Sequence, residues 1–237
     1  MLLKFFLDSP EDFWDLLNDV QRLNGVSAHM GVTERKAREK EELKRQILDA
    51  ARELFVRDGY ESVSMRKIAD KIEYSPATIY TYFKDKDEIL DCLCEETFLK
   101  LHVDKLAAAH QMKGDALQAL KKGMETYIRF GLEHPEHYIV TFMLRAAPYH
   151  GPRARETRKA KTGQQCFDDM RNLVRRCMEE GKIMKADVEE TSQALWAGIH
   201  GVTALLITLP GFPFVERERL IRRTLEILVR GISPHGK

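Results

Sequence analysis

Ile47, Ala50, Ala51, Leu54 and Phe55 recur at intervals of three and four, and the stripe stops at Gly59. That spacing puts five apolar side chains on one side of an α-helix, a side that other segments must cover. The chain supplies those segments at once. Ser64 precedes MRKIADKI, where Ile68, Ala69 and Ile72 share a face, and Ser75–Pro76 opens a shorter run carrying Ile79 and Phe83. Serine is a favoured N-cap and proline suits the first helical position, so both runs are expected to start as helices. Asp85 caps a longer run, KDEILDCLCEETFLKLHVDKLAAA, with Ile89, Leu90, Leu93 and Phe98 on its inner side. Upstream, the charged stretch TERKAREKEELKR (33–45) merges into the first helix.

The same period continues to the end. Helices are expected near 115–133, 135–146, 156–180, 187–209 and 214–230, with breaks at His134–Pro135, APYHGPRAR, Gly181 and LPGFPF. The 14 glycines and 8 prolines fall mostly between periodic runs, and no segment alternates as a strand does. The fold class is therefore all-α, with about nine to ten helices. Residues 1–29 read as one amphipathic helix of their own: Ser9 and Pro10 start it, Phe13, Leu16, Leu17 and Val20 form its stripe, and Asn24–Gly25 end it. Met30 is a second candidate start, which makes 1–29 an extension. The expected domains are 1–29, 30–90 and 91–237.

Two short helices joined by a four-residue turn, MRKIADKI-EYSP-ATIYTYF, have the layout of a helix-turn-helix. With Ile79 and Phe83 turned inward, the leading end Ser75–Pro76 and the side chains of Ala77, Thr78, Tyr80, Thr81 and Tyr82 are left outward. Hydroxyls and small methyls suit the base edges of a DNA major groove, and tyrosine hydroxyls with Lys84 or Lys86 suit phosphates. Residues 30–90 hold 13 Lys/Arg against 13 Asp/Glu. Without net charge, such a head binds DNA non-specifically only weakly, and specificity must come from short contacts and from pairing of two heads.

These residues resemble the DNA-binding region of the TetR, or tetracycline-repressor-like, regulators. The resemblance rests on ARELFVRDGYESVSMRKIA and YSPATIYTYFKDKDEIL, about a quarter of the chain. It implies a recognition helix over Ser75–Phe83. It also implies backbone contacts from Ser64, Met65 and Arg66 and from Tyr80, Tyr82 and Lys86. One position departs: Glu73 stands where the family usually has glycine, and a positive φ there costs a non-glycine residue about 1 kcal/mol.

The resemblance further implies a helical domain that binds a small molecule and forms a two-fold dimer. Trp196-x-x-x-His200-Gly201 is similar to the signature of a C-terminal subclass called the WHG domain. For the dimer, the expected surfaces are Leu195, Ile199, Val202 and Leu206 on one helix and Leu220, Thr224, Ile227 and Leu228 on the next. For the effector pocket, the candidates are Tyr127, Phe130, Tyr138, Phe142, Met143, Met170, Trp196 and His200. Each has an ordinary alternative as core, and His200 as a partner of a buried carbonyl. Gly198 and Gly201 inside a helix point to close helix approach.

Other classes find less support. No nucleophile elbow, phosphate-cradling glycine loop or paired carboxylates beside a base occur, so no enzyme and no cofactor are expected. Four cysteines without ligand spacing, and His134, His137 and His150 across a proline-broken loop, suggest no metal. The basic stretch 145–161, with six Lys/Arg and one glutamate, reads as a solvated loop. A net charge of +1 names no polyanion partner by itself, and no apolar run approaches the about 20 residues that span a bilayer. The expectation is a cytoplasmic, homodimeric, ligand-responsive regulator, more readily a repressor, on a palindromic operator. The rival is a helical small-molecule-binding protein or adaptor whose DNA-binding head is vestigial.

Overall fold

The computed structural model describes residues 32–111, 114–144 and 160–234. The helix expected over 1–29 and most of the basic stretch 145–161 lie outside those residues. The chain divides into two compact units, 1–43 and 44–237. Described residues of the first begin helix α1 (Val32–Asp58) and carry an exposed Arg35–Glu39 pair at 3.6 Å. Such a pair stabilises little.

In the second unit, α1 is followed by a 3-10 turn at Tyr60–Ser62 and by α2 (Met65–Lys71) and α3 (Pro76–Tyr80). Ser64 and Ser75 cap α2 and α3 by accepting hydrogen bonds from the N–H groups of Lys67 and Thr78, both at 3.2 Å. Losing such a cap costs about 1 kcal/mol. Ile47, Ala51, Leu54 and Phe55 of α1 close with Ile68, Ala69, Ile79 and Phe83 into a small core, each nearly inaccessible to water. The expected inward residues are buried, apart from Ile72 at the end of α2, which is half-buried. The third helix is shorter than Ser75–Phe83: only Pro76–Tyr80 is α-helical, and Thr81–Tyr82 form a turn.

Helix α4 (Lys86–Gln111) starts at Asp85, whose carboxylate accepts from Glu88 N–H at 2.8 Å, and runs through residue 90 without a break. Then come α5 (Ala116–Glu133), α6 (Pro135–Tyr138) with a π-helical turn at Ile139–Met143, α7 (Ala160–Glu179), α8 (Val188–Thr208) and α9 (Arg217–Ile232). No strand occurs among the described residues. Helix α5 is central and touches α4, α7, α8 and α9. The single helix expected over 135–146 is thus a turn of α-helix and a π turn. The π turn is a rare geometry with i→i+5 bonding that stores one surplus residue.

Two packing details correct the expected dimer surface. Leu195, Ile199 and Val202 of α8 are buried in the core with Leu120, Ile128, Val174 and Ile221, and Leu206 packs against the same cluster. They serve the chain's own interior. An apolar stripe on a helix covers the chain's own core before it can serve an interface. Gly198 is a close-approach site: a Cβ there would lie 2.6 Å from Leu228 of α9. A Cβ on Gly201 would meet nothing within 4 Å.

Candidate nucleic-acid interface and its link to the helical body

The turn between α2 and α3 is tight. Tyr74 N–H bonds Ala69 O at 3.0 Å, and Glu73 takes φ 61°, the left-handed region. It is the only non-glycine residue described with positive φ. The residue that departs from the family pattern therefore sits at the strained position.

On α3 and the turn after it, Ala77, Tyr80 and Thr81 are exposed, Tyr80 by 56%, while Thr78 and Tyr82 are half-buried. Several hydroxyls are partly engaged: Ser75 Oγ and Thr78 Oγ1 bond each other at 2.9 Å, and Thr81 donates to Thr78 O at 2.7 Å. The unengaged outward groups are the Tyr80 hydroxyl, the Ala77 methyl and the exposed Lys84 side chain. Arg66 is exposed at the start of α2, with Asp70 only at 4.0 Å. Tyr74 in the turn is 43% exposed on the same stretch of chain, and a turn tyrosine has no helical period in the sequence to mark its side.

Two expected DNA-contact side chains are placed otherwise. Met65 is buried, with only 7% of the residue exposed. The Lys86 ammonium donates to Tyr60 O at 3.0 Å and Val63 O at 3.3 Å and stands 4.2 Å above the Tyr60 ring. The Tyr60 hydroxyl in turn bonds Asp87. Lysine and aromatic ring meet here across 26 residues, in a clasp that joins the 3-10 turn to the first turn of α4.

A second link lies deeper. Arg52 of α1, 8% exposed, donates at 2.7 Å to both Asp49 and Glu96 of α4. Glu96 also pairs with Lys100 at 2.9 Å. Burial pushes the Glu96 carboxyl up, but Lys100 and Arg52 outweigh it and hold it below the usual range. Lys100 reaches His137 Nε2 at 3.4 Å, and Thr97 meets His137 Nδ1 at 3.2 Å. Burial and then the Arg52 and Lys100 cations drive the His137 imidazole down to about 4, so it is neutral at physiological pH.

The next residue, Tyr138, is fully buried and stacks on His200 with centroids 5.4 Å apart. Its hydroxyl lies 2.6 Å from His200 Nδ1, and the Tyr127 hydroxyl lies 3.0 Å from the same nitrogen. Phe142 on the π turn and Trp196 flank the imidazole at 5.8 and 5.5 Å. The structure thus brings together five of the eight expected pocket residues. Phe130 and Met170 lie in the main core, with Phe130 against the His134 ring, and the Met143 side chain is 38% exposed.

One cavity among the described residues lies elsewhere. It is an open cleft of about 620 Å³ between α5 and α9, floored by Ile221, Leu225 and Val229 and rimmed by charges that include Lys121, Arg222 and Glu226. It contains none of the expected pocket residues. Among the described residues no group of three or more His, Cys, Asp or Glu is placed to hold a metal, and no helix is long and apolar enough to cross a membrane.

Residues 47–93 match the model of bacterial regulatory proteins of the tetR family, and residues 120–228 match that of the tetracyclin repressor-like C-terminal domain. The two matches take in the head and the Trp196–Gly201 motif. The chain belongs to the TetR family of transcriptional regulators. Among curated relatives, a helix-turn-helix regulator of Haemophilus influenzae is 39% identical over 59 residues, 25% of this chain and 32% of that protein. The regulator YvkB of Bacillus subtilis is 24% identical over 190 residues, 80% of this chain and 96% of that protein. The crystal structure of the TetR-family regulator PfmR from Thermus thermophilus shares the fold, with a TM-score of 0.62 and 23% identity over 79% of this chain and 99% of that one. As a TetR-family protein, the chain is a DNA-binding transcriptional regulator.

Proposed function

We propose that two copies of this regulator pair through α8 and α9 and seat their α3 helices in successive major grooves of a palindromic operator, as a repressor released by a small molecule. Occupying a promoter obstructs transcription by itself, whereas activation needs a further contact with polymerase. The observation that carries the DNA contact is the outward Ala77–Tyr80–Thr81 face of α3, fixed by two buried residues of the same turns, Ile79 and Phe83. Ser64, Arg66, Tyr82 and Lys84 serve as flanking phosphate contacts in this reading, with Tyr74 added. Lys86 supports them from behind.

The pairing surface follows from what the core leaves out. Helical spacing puts Ala194, Ala197, Gly201, Leu205 and Thr208 on the outer side of α8, and Leu220, Thr224 and Ile227 on the matching side of α9. Small residues and an open Gly201 let a second helix approach closely, while Leu205 and Ile227, exposed by 46% and 56%, supply the apolar anchors. The effector binds at the His200 cluster, one residue along the chain from the His137 contact to α4. A cytoplasmic location accords with this role.

Selection of bound fragments from random duplex DNA tests the proposal. The expected yield is a palindrome whose half-sites lie one helical turn, about 34–36 Å, or a multiple apart. Tyr80→Ala should lose that binding while melting within about 0.5 kcal/mol of the parent. Retained operator binding in Tyr80→Ala would overturn the assignment of α3.

A further inference from the structure

The cluster around His200 carries information about the kind of molecule it can accept, and this inference rests on the reading above that an effector binds there. Six rings run in contact: Phe142, Tyr127, Tyr138, His200, Trp196 and Phe167, neighbouring centroids being 5.0–6.1 Å apart. We propose that the site takes a neutral, planar, mainly apolar molecule with a single polar atom, which bonds His200 Nε2.

Three observations lead there. The first is charge. None of the six rings is ionised at neutral pH: burial holds the His200 imidazole below its ordinary range, and it pushes the Tyr127 phenol up to about 12 and Tyr138 higher still. An ion placed among them gives up hydration with no counter-charge from the ring set, the costliest kind of burial. The second is a spare hydrogen-bonding position. Both tyrosine hydroxyls converge on Nδ1, and Nε2 has no partner among the described residues. In either neutral tautomer Nε2 offers one donor or one acceptor, and it is not among the described polar atoms buried without a partner, so it is open to a group arriving from outside the ring cluster.

The third is shape and room. The rings are packed on one another, so a ligand must part them, and a flat molecule that stacks on the exposed rings displaces the least. Tyr138 cannot yield, because it is wedged where even a Cβ on Gly131 would come within 2.8 Å of its ring and 2.5 Å of Thr203. Phe142 can. It rides on the π turn Ile139–Met143, a rare geometry often found at functional sites, and its side chain is held by apolar packing on the core and on neighbouring rings rather than by a hydrogen bond. Trp196, 37% exposed, marks the side open to solvent.

The test compares three probes with one ring system: 2-acetylnaphthalene, 2-naphthoate and 2-naphthylmethylammonium. Each is titrated calorimetrically into the full chain and into His200→Phe and His200→Gln. The ketone is expected to bind at least tenfold more tightly than either ion. His200→Phe should weaken it tenfold or more, and His200→Gln, which keeps a polar atom, should restore it to within about threefold. An ion that binds as tightly as the ketone, no binding by any of the three, or equal affinity in all three proteins would overturn the inference. Operator binding is measured on the same samples. A ketone that binds as described but leaves operator affinity unchanged upholds the ligand class and removes the effector role. Loss of operator binding by the unliganded parent defeats the regulatory reading alone.

Discussion

Glu73 offers a clean dissection of strain from charge. Its φ of 61° costs a residue with a Cβ about 1–2 kcal/mol, and its exposed side chain makes no hydrogen bond or ion pair among the described residues to repay that. Glu73→Gly removes the steric cost but loosens the unfolded chain by about 0.5–1 kcal/mol. The expected net gain is therefore about 0.5–1 kcal/mol. For a chain of 237 residues this raises the melting temperature by about 2–3 °C at fixed protein concentration. Glu73→Gln keeps the strain and drops the charge, so its melting temperature should stay put. DNA affinity sorts the pair differently. A carboxylate about 10 Å from a phosphate in water is repelled by about 0.4 kcal/mol, so both variants should bind non-specific duplex about twofold more tightly at low salt. Differential scanning calorimetry and fluorescence anisotropy read the two quantities. Equal melting shifts in Gly and Gln, or a lower melting temperature in Gly, would refute the strain argument.

Three further outcomes are expected. Lys86→Met should destabilise the fold by about 2 kcal/mol in urea unfolding, because the carbonyls of Tyr60 and Val63 lose a charged donor. A variant that unfolds normally and only binds DNA weakly would return Lys86 to the phosphate contacts. Leu205→Glu with Ile227→Glu should sediment as single chains without loss of helical circular dichroism, since both side chains are exposed in one copy. Finally, the His102 imidazole pairs with Asp169 at 3.1 Å, and that bond foremost raises it to about 9. The folded state then holds this proton more tightly than the unfolded chain, so the stabilisation is complete below about pH 6.5 and fades as pH rises to about 9. His102→Gln should flatten that part of the stability–pH curve.

Much of the fold was legible because its signals are local. Ser64, Ser75 and Asp85 stand just ahead of apolar periods, Pro76 and Pro135 occupy first helical positions, and the bonds of those caps span three residues. The inward set of the head was legible for the same reason. What failed needs partners far along the chain. Periodicity tells which side of α8 is covered, not whether Ile128 or a second copy covers it, so Leu195, Ile199 and Val202 were misassigned. The side chain of Lys86 looks free in sequence and is claimed by a turn 23 to 26 residues earlier. The π turn has no composition of its own. His200 was open between ligand contact and buried-carbonyl partner, and the tyrosine hydroxyls that meet it lie 62 and 73 residues away.

The Lys86–Tyr60–Asp87 clasp has a mechanical consequence. With its first turn fastened to the head, α4 would serve the proposed dimer as a lever arm of 26 residues, about 39 Å long. In the proposed dimer, a swing of about 5° about its distal end would carry the α3 helix through about 3 Å, and mirrored motion in the two copies would open or close their separation by about 6–7 Å. Against a groove-to-groove span of about 34–36 Å, that is enough to take both helices out of register with the duplex. No side chain on the DNA-facing surface has to move relative to its neighbours.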